Sequence, residues 1–509
     1  MTKLPVLDVR TSANTPGEID ILLIAQDSGG KPLAVNGPYA KILGQFRKGD
    51  AFKAASGSIQ FVRFGGKGSR DHAAFVGIGS PKDLTEEKVR TAAGHLWQKL
   101  KSEKVRTAVI HMDALVEARS SEGDAIRFAR AFAEGFVLGC YQFDKYKIKS
   151  PSADYTGPTK IGFFSKDKVL NSQLKAQLTY ALAALEAMNV TRDWSNEPSN
   201  IGTPEYYAAQ AKVLAKEYGL TCRVLSEKDA EREKMGLFLG VGQGSEREGQ
   251  IVIVEYNPKP VVKGGKPPKT IAFVGKGVTF DTGGISIKPS MRMEDMKHDM
   301  TGAATVMGAT ILASLIKAPN RIVTIMGFTE NMPGGNAITP GHVIKSRSGK
   351  TVEIINTDAE GRLILADLLD YAQDLKPDAM IDAATLTGAV SIALGKQCCA
   401  ILGNDDSLIE SVRRAGDVAG ERIWQLPLFD EYFEDMKSDY ADMKNSCNDS
   451  YGGTIRGAIF LKQYIRKGTR WAHLDIAATA NSVSHHSYIP KRGATGTYVR
   501  TLAQFAAEF

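Results

Sequence analysis

Apolar residues recur along this chain in two alternating textures. Runs such as Ile19 to Ala25, Thr107 to His111 and Lys160 to Phe164 have strand length. The stretches at about 84–103 and about 122–142 instead place apolar residues three and four apart, the spacing of one helix face. That alternation predicts an α/β layer domain over residues 1–165. Leu174, Leu178, Leu182 and Leu185 continue at helical spacing through a Leu/Ala-rich stretch at about 170–190. The spacing predicts a helical linker over 166–195, broken by the polar run Arg192 to Asn200. Thr203 and Pro204 then restart a helix, as N-cap and first helical residue.

Residues 196–509 read as a second, β-rich domain with helices between its strands. Ile251 to Glu255, Thr270 to Val274, Arg321 to Phe328 and Ala379 to Ala383 are apolar runs of buried-strand length. Val343 to Ile355, turning at Ser348-Gly349, predicts a hairpin. The Ala/Gly-rich stretch at about 300–317 predicts a buried helix, and the Pro/Gly/Lys stretch 257–269 a surface loop.

Composition narrows the class. A chain of 509 residues exceeds one ordinary core, so two or three domains are expected. The proportions, 43% hydrophobic and 24% charged, are those of a globular protein. No apolar run approaches the roughly 20 residues of a membrane helix. Met1 to Asp8 lacks the apolar segment of a secretory signal, so a cytoplasmic location is expected. The five cysteines are scattered, which predicts reduced, mostly buried thiols. A formal charge of +7, spread along the chain, permits nucleic-acid contact without arguing for it.

Several familiar chemistries are excluded by spacing. Gly65-Gly66-Lys67-Gly68-Ser69 lacks phosphate-loop spacing and reads as a glycine-rich turn. Gly240 to Gly244 misses the dinucleotide fingerprint, and Gly284-Ile285-Ser286 lacks the closing glycine of a serine-hydrolase elbow. None of the eight histidines forms the pair of a single-zinc protease. His298, beside Asp299, reads as a supporting or surface residue.

What remains is a concentration of carboxylates. Asn356-Thr357-Asp358-Ala359-Glu360-Gly361-Arg362-Leu363 sets two acids and a guanidinium at alternate positions. In an extended segment these three side chains share one face. Crowded carboxylates repel unless a proton or a metal sits between them, although the same pattern alone also fits a solvated acidic turn. Upstream, Gly275 to Gly284 places Lys276 and Asp281 at the ends of a short apolar run, followed by Lys288 and Asp299. Asp299 stands at the positive end of the predicted helix. Four carboxylates and an amine make a donor set for hard or borderline divalent cations.

The octapeptide and the Gly-Lys-Gly…Phe-Asp-Thr-Gly-Gly run resemble, position by position, the signature of the leucine aminopeptidase (cytosol aminopeptidase) family of two-metal exopeptidases. The resemblance spans about residues 190 to 505. It implies a macrodomain-like amino-terminal α/β domain, serving assembly, and a catalytic domain whose mixed β-sheet is sandwiched by helices. It also implies two divalent ions per subunit, manganese or zinc. Asp281 and Glu360 would bridge them, Asp358 would complete one site, and Lys276 with Asp299 the other. Lys276 binds metal only as a free amine, so its pKa must be driven down by cations and burial. Two divalent ions then balance the four carboxylates. Lys288 and Arg362 match the catalytic side chains, the first for the oxyanion and the second for a bicarbonate serving as base. Met296, Thr385, Leu386 and Gly388 match the first-residue pocket. Peptides with a free amino terminus, a homo-hexamer and intracellular peptide turnover follow from the same resemblance. So does a secondary DNA-binding role, for which this sequence offers no basic, aromatic-interleaved helix.

Overall fold

A computed structural model describes residues 5–12, 19–35, 39–49, 51–63, 72–118, 122–148, 157–258 and 267–509. Gly65 to Ser69, and residues 259–266 of the expected surface loop, lie outside these. The chain forms two compact units: Met1–Leu185 with Ser484–Lys491, and Glu186–Val483 with Arg492–Phe509.

The first unit is built on one sheet. Its strands are β1 (Val6–Val9), β2 (Ile19–Ala25), β3 (Ile59–Arg63), β4 (His72–Gly79), β5 (Thr107–His111) and β6 (Lys160–Phe164). They lie in the order β1-β6-β5-β2-β4-β3, parallel throughout except for the edge strand β3. Helix α1 (Ala40–Gly49) precedes β3, and the periodic stretches form α2 (Glu86–Ser102) and, after the short α3 (Asp113–Glu117), α4 (Glu122–Leu138). Thr85 caps α2 by accepting from Lys88 N, and Trp97 meets Phe136 of α4 edge-on at 5.2 Å. The stretch Ser484–Lys491 packs on α2. There Tyr488 donates to Glu87 Oε1 at 2.8 Å and Ser487 to the Thr91 carbonyl at 2.6 Å.

Helix α5 (Lys168–Asn196) outruns the sequence expectation, since its last turn includes Arg192 to Asn196. Arg192, Ser195 and Asn196 are buried and meet tertiary partners. Arg192 Nε donates to Thr495 O at 2.8 Å, and Asn196 Oδ1 accepts from Ala494 N at 2.9 Å. Pro198 bars the residue before it from helical geometry and sets the limit. Thr203 then caps α6 (Pro204–Glu217) as read from the sequence.

The second unit centres on an eight-stranded mixed sheet. Its strands are β7 (Thr221–Leu225), β8 (Gln250–Tyr256), β9 (Thr270–Asp281), β10 (Arg321–Asn331), β13 (Ala379–Ala384), β14 (Cys399–Gly403), β15 (Ile423–Gln425) and β17 (Trp471–Asp475). The order is β15-β14-β17-β13-β9-β10-β8-β7, and the central four are mutually parallel. β11 (Val343–Lys345) and β12 (Thr351–Glu353) form the expected hairpin, joined by β16 (Met443–Lys444). The apolar stretch after Asp299 becomes a helix at Thr301–Leu315 and is buried all round. It lies close on the sheet because Gly302 has no side chain: a Cβ there would stand 2.2 Å from Ala383 O. On the thiols the sequence expectation was too strong: Cys140 and Cys399 are buried, whereas Cys222, Cys398 and Cys447 are half-buried. No described helix is long and apolar enough to cross a membrane.

Candidate active site

A step in the sheet makes the site. β13 stops at Ala384, just past the pairing of Ala383 with Gly275, whereas β9 continues beside β10 until Asp281 pairs with Asn331. Ligand sites favour such crevices at the carboxyl ends of parallel strands. Lys276 and Asp281 are five residues apart and would face opposite sides of an unbroken strand. The register shifts between them, with Thr329 opposite Val278 and Glu330 opposite Phe280. That bulge takes up Thr279 and turns both side chains into one cavity.

The octapeptide reaches the same cavity differently from the extended segment expected. Residues 357–358 form a turn, Glu360 precedes the helix Gly361–Ala372, and Arg362 lies in that helix's first turn. Asp358 and Glu360 still converge, because the turn folds them back: Asn356 Oδ1 accepts from Asp358 N at 2.9 Å. Arg362 diverges from them. It is buried, donates from Nη1 to Asn445 O at 2.8 Å, and leaves its buried Nε without a hydrogen-bond partner.

The cavity holds about 610 Å³. Lys276, Asp281, Lys288, Met296, Asp299, Asp358, Glu360, Thr385, Leu386 and Gly388 all line it, with His298; Arg362 does not. Lys276 Nζ lies 2.8 Å from both Asp299 Oδ2 and Glu360 Oε1, and donates to Thr385 O at 2.9 Å. Lys288 Nζ pairs with Asp281 Oδ2 at 2.7 Å and with Asp358 Oδ1. Oxygens of Asp281, Asp358 and Glu360 gather within 4.8 Å of one another.

The electrostatics follow from four carboxylates facing two ammonium groups. Burial, then the Glu360 charge, pushes Asp281 above the usual carboxylate range. Burial does the same to Asp299, more strongly, and raises Asp358 to about 6. Burial also acts on Glu360, but Lys276 and Lys288 outweigh it and hold that carboxyl low. On Lys276 burial acts downward, yet Asp299, Glu360 and Asp281 keep it above the ordinary lysine range. The neutral amine implied by the resemblance therefore requires other cations to take up the carboxylate charge. Burial lowers His298 to about 4, so it is neutral, and its Nδ1 lies 3.3 Å from Ser195 Oγ.

The set fits divalent metal on structural grounds. Asp299 Oδ2, Asp358 Oδ1 and Glu360 Oε1 are buried and, despite their lysine neighbours, make no well-directed hydrogen bond. Oxygen donors left open in this way match hard or borderline cations. Gly361 is part of the fit, since a Cβ there would stand 2.6 Å from Lys276 Cε and 2.7 Å from its Nζ. Gly361→Ala should gain up to about 1 kcal/mol of helix propensity while displacing Lys276. We expect a melting temperature within a few degrees of wild type and at least about tenfold lower turnover; unchanged turnover would remove Lys276 from the account.

Sequence reading missed the residues that orient these carboxylates. Asn331 Nδ2 donates to Asp281 Oδ1 at 2.8 Å and to Thr357 O at 3.0 Å. Asn445 holds the octapeptide, accepting from Ile355 N at 2.8 Å and donating to Asn356 O at 2.7 Å. Buried Asp475 accepts from Leu386 N at 3.2 Å and from the Thr387 hydroxyl at 2.6 Å. An acid ending the apolar run Trp471 to Leu474 was the available signal for Asp475. Single asparagines carry no comparable pattern.

Carboxylates and lysines gathered at strand ends inside a cavity fit one class, the metal-dependent hydrolases. The chain belongs to the cytosol aminopeptidase family. That family's catalytic-domain profile matches residues 189–503, and its N-terminal-domain profile matches residues 22–150. A probable cytosol aminopeptidase of Geobacter sp. (strain M21) is 42% identical over 468 residues, 91% of each chain. One of Rickettsia canadensis (strain McKiel) is 41% identical over 444 residues, covering 87% of this chain and 86% of the relative. Among solved structures, the bottromycin maturation enzyme BotP in complex with Mn is 33% identical with a TM-score of 0.83. That match covers 96% of this chain and 99% of BotP.

Proposed function

We propose that this aminopeptidase releases unblocked amino-terminal residues, leucine among them, from peptides at the step between β9 and β13. The observation that carries the reading is the convergence of Asp281, Asp358 and Glu360, with Lys276 and Asp299, in one cavity. These five residues would hold two divalent cations. Asp281 and Glu360 would be shared, Asp358 would serve one cation, and Lys276 with Asp299 the other. When bound, such a pair supplies Lewis-acid polarisation of the scissile carbonyl and activation of a water. Manganese is the first cation to test, given the BotP complex, and zinc the second.

The chain's own groups divide the remaining work. The Lys276 and Asp299 side of the cluster would receive the substrate's terminal amine in its neutral form. Met296, Thr385, Leu386 and Gly388 surround the first side chain. Lys288 now pairs with Asp281 and Asp358; once cations neutralise those carboxylates, its ammonium is free to stabilise the developing oxyanion. One such donor is typically worth ~3–4 kcal/mol. All four carboxylates are engaged as ligands, so the base must come from elsewhere. Arg362 has a buried Nε without a partner, and a planar guanidinium suits a bicarbonate-type anion.

Lys288→Ala should keep its metal content and lose about 100-fold or more in turnover. Full activity in that variant would rule out the oxyanion role. Activity on aminoacyl amides should vanish on chelation and return with manganese or zinc; hydrolysis unaffected by complete metal removal would overturn the reading. We further propose a homo-hexamer acting in the cytoplasm in peptide turnover, with the first unit, which holds none of the candidate residues, serving assembly. A stable, active monomer in sedimentation would refute that assembly. A secondary nucleic-acid role rests on no charge cluster in the sequence and would need salt-sensitive DNA retention to stand.

A further inference from the structure

The cavity wall beyond Gly388 is polar. Helix Ala389–Leu394 leads away from Gly388, Gly395 turns the chain at φ +61°, and Lys396 then donates from Nζ to Ser482 O at 3.1 Å. Lys396, Ser391 and Asn481 line the cavity. Leu386 and Ala477 belong to its apolar lining, both amides drawn to Asp475 Oδ1 at the end of β17. The cavity thus offers hydroxyl, amide and ammonium groups beside its apolar lining.

Charge decides what this wall prefers. Arg292 and Asp295 also line the cavity, but they close on each other, with Nε at 2.9 Å and Nη2 at 2.8 Å from Asp295 Oδ2. Lys396 has no ion pair with a carboxylate among the described residues; its one described bond is to the Ser482 carbonyl. An ammonium carries three donors, so two remain for a ligand. Being exposed, Lys396 is partly screened by solvent, which limits the effect without changing its sign.

We infer that Lys396 is a specificity-determining residue favouring peptides whose first residue is acidic, glutamyl above all, by receiving the γ-carboxylate at the far wall. The inference rests on the aminopeptidase reading of the same cavity. It is tested by comparing glutamyl and glutaminyl amides, which share a shape and differ in charge, with the metal-loaded enzyme.

The wild type should favour the glutamyl amide in kcat/KM by about tenfold at low salt, as a charge-assisted bond permits, mainly through KM. The preference should shrink at high salt, fall close to unity in Lys396→Met and invert in Lys396→Glu. A wild-type ratio near one, or a preference unchanged in both variants, would overturn the inference. Leucyl amide distinguishes the two readings. Its turnover alongside a flat glutamyl-to-glutaminyl ratio sinks this inference alone, whereas failure on every amide sinks the aminopeptidase reading with it.

Discussion

Asp281→Ala and Glu360→Ala are each expected to lose most bound metal and, with it, aminopeptidase activity. Both residues are assigned to both cations, so either deletion strips a donor from each. Asp281 sits at the strand end where β9 meets Asn331, and Glu360 lies against Lys276 at the helix start. No neighbouring carboxylate is spare to replace them, since Asp299 and Asp358 are themselves assigned as ligands. The loss should exceed the roughly 10–100-fold in metal affinity that removal of an orienting partner typically costs. Asn331→Ala is the matched comparison, because it removes no ligand but only the amide that directs Asp281 Oδ1 and braces Thr357 O. Elemental analysis after gel filtration checks the series. The metal-free variants should melt within a few degrees of the metal-free wild type, and the stabilisation that bound metal adds to the wild type should be missing. Full metal occupancy in Glu360→Ala would show that the cations are held elsewhere.

Much of this site was legible in the sequence because its chemistry is concentrated in short segments. Glycines and acids at fixed spacing picked out Lys276, Asp281, Lys288, Asp299, Asp358 and Glu360, and the family resemblance added Met296, Thr385, Leu386 and Gly388; all ten line the cavity. The apolar runs located β9, β10 and β13, though not β17, because a parallel sheet covered on both faces needs near-continuous apolar sequence. Two features were not legible, each for a physical reason. Spacing alone put Asp358, Glu360 and Arg362 on one face, but a turn stabilised by the Asn356 side chain replaces the extended segment and sends Arg362 to Asn445. The bulge at Thr279, which sets Lys276 and Asp281 on the same side, depends on the partner strand's register and leaves no mark in β9 itself. The longer α5 was misjudged for a related reason. Arg192, Ser195 and Asn196 look like a helix end until their tertiary partners are known.

Acetylating the substrate's amino terminus is expected to abolish turnover, an effect as large as losing a metal ligand. The reading assigns the Lys276 and Asp299 side of the cluster to the terminal amine. A cation held by Lys276 and Asp299 would take up a nitrogen lone pair, so only an unblocked, neutral amine suits that side of the cluster. An amide nitrogen has no available lone pair, and the acetyl group adds bulk where the terminus must fit. The free amine is received neutral, so activity should climb with pH through the ordinary α-amino range of ~7.7–8.0. Changes beyond the second residue should matter little. Proline in second place should be poor, because its ring fixes φ and removes the amide hydrogen.

The most direct measurement is the rate of the manganese-loaded protein on leucyl amide and on N-acetyl-leucyl amide, side by side. The account predicts rapid cleavage of the first and none of the second. Equal rates on the two would contradict it, even if both metals were bound where the five residues converge.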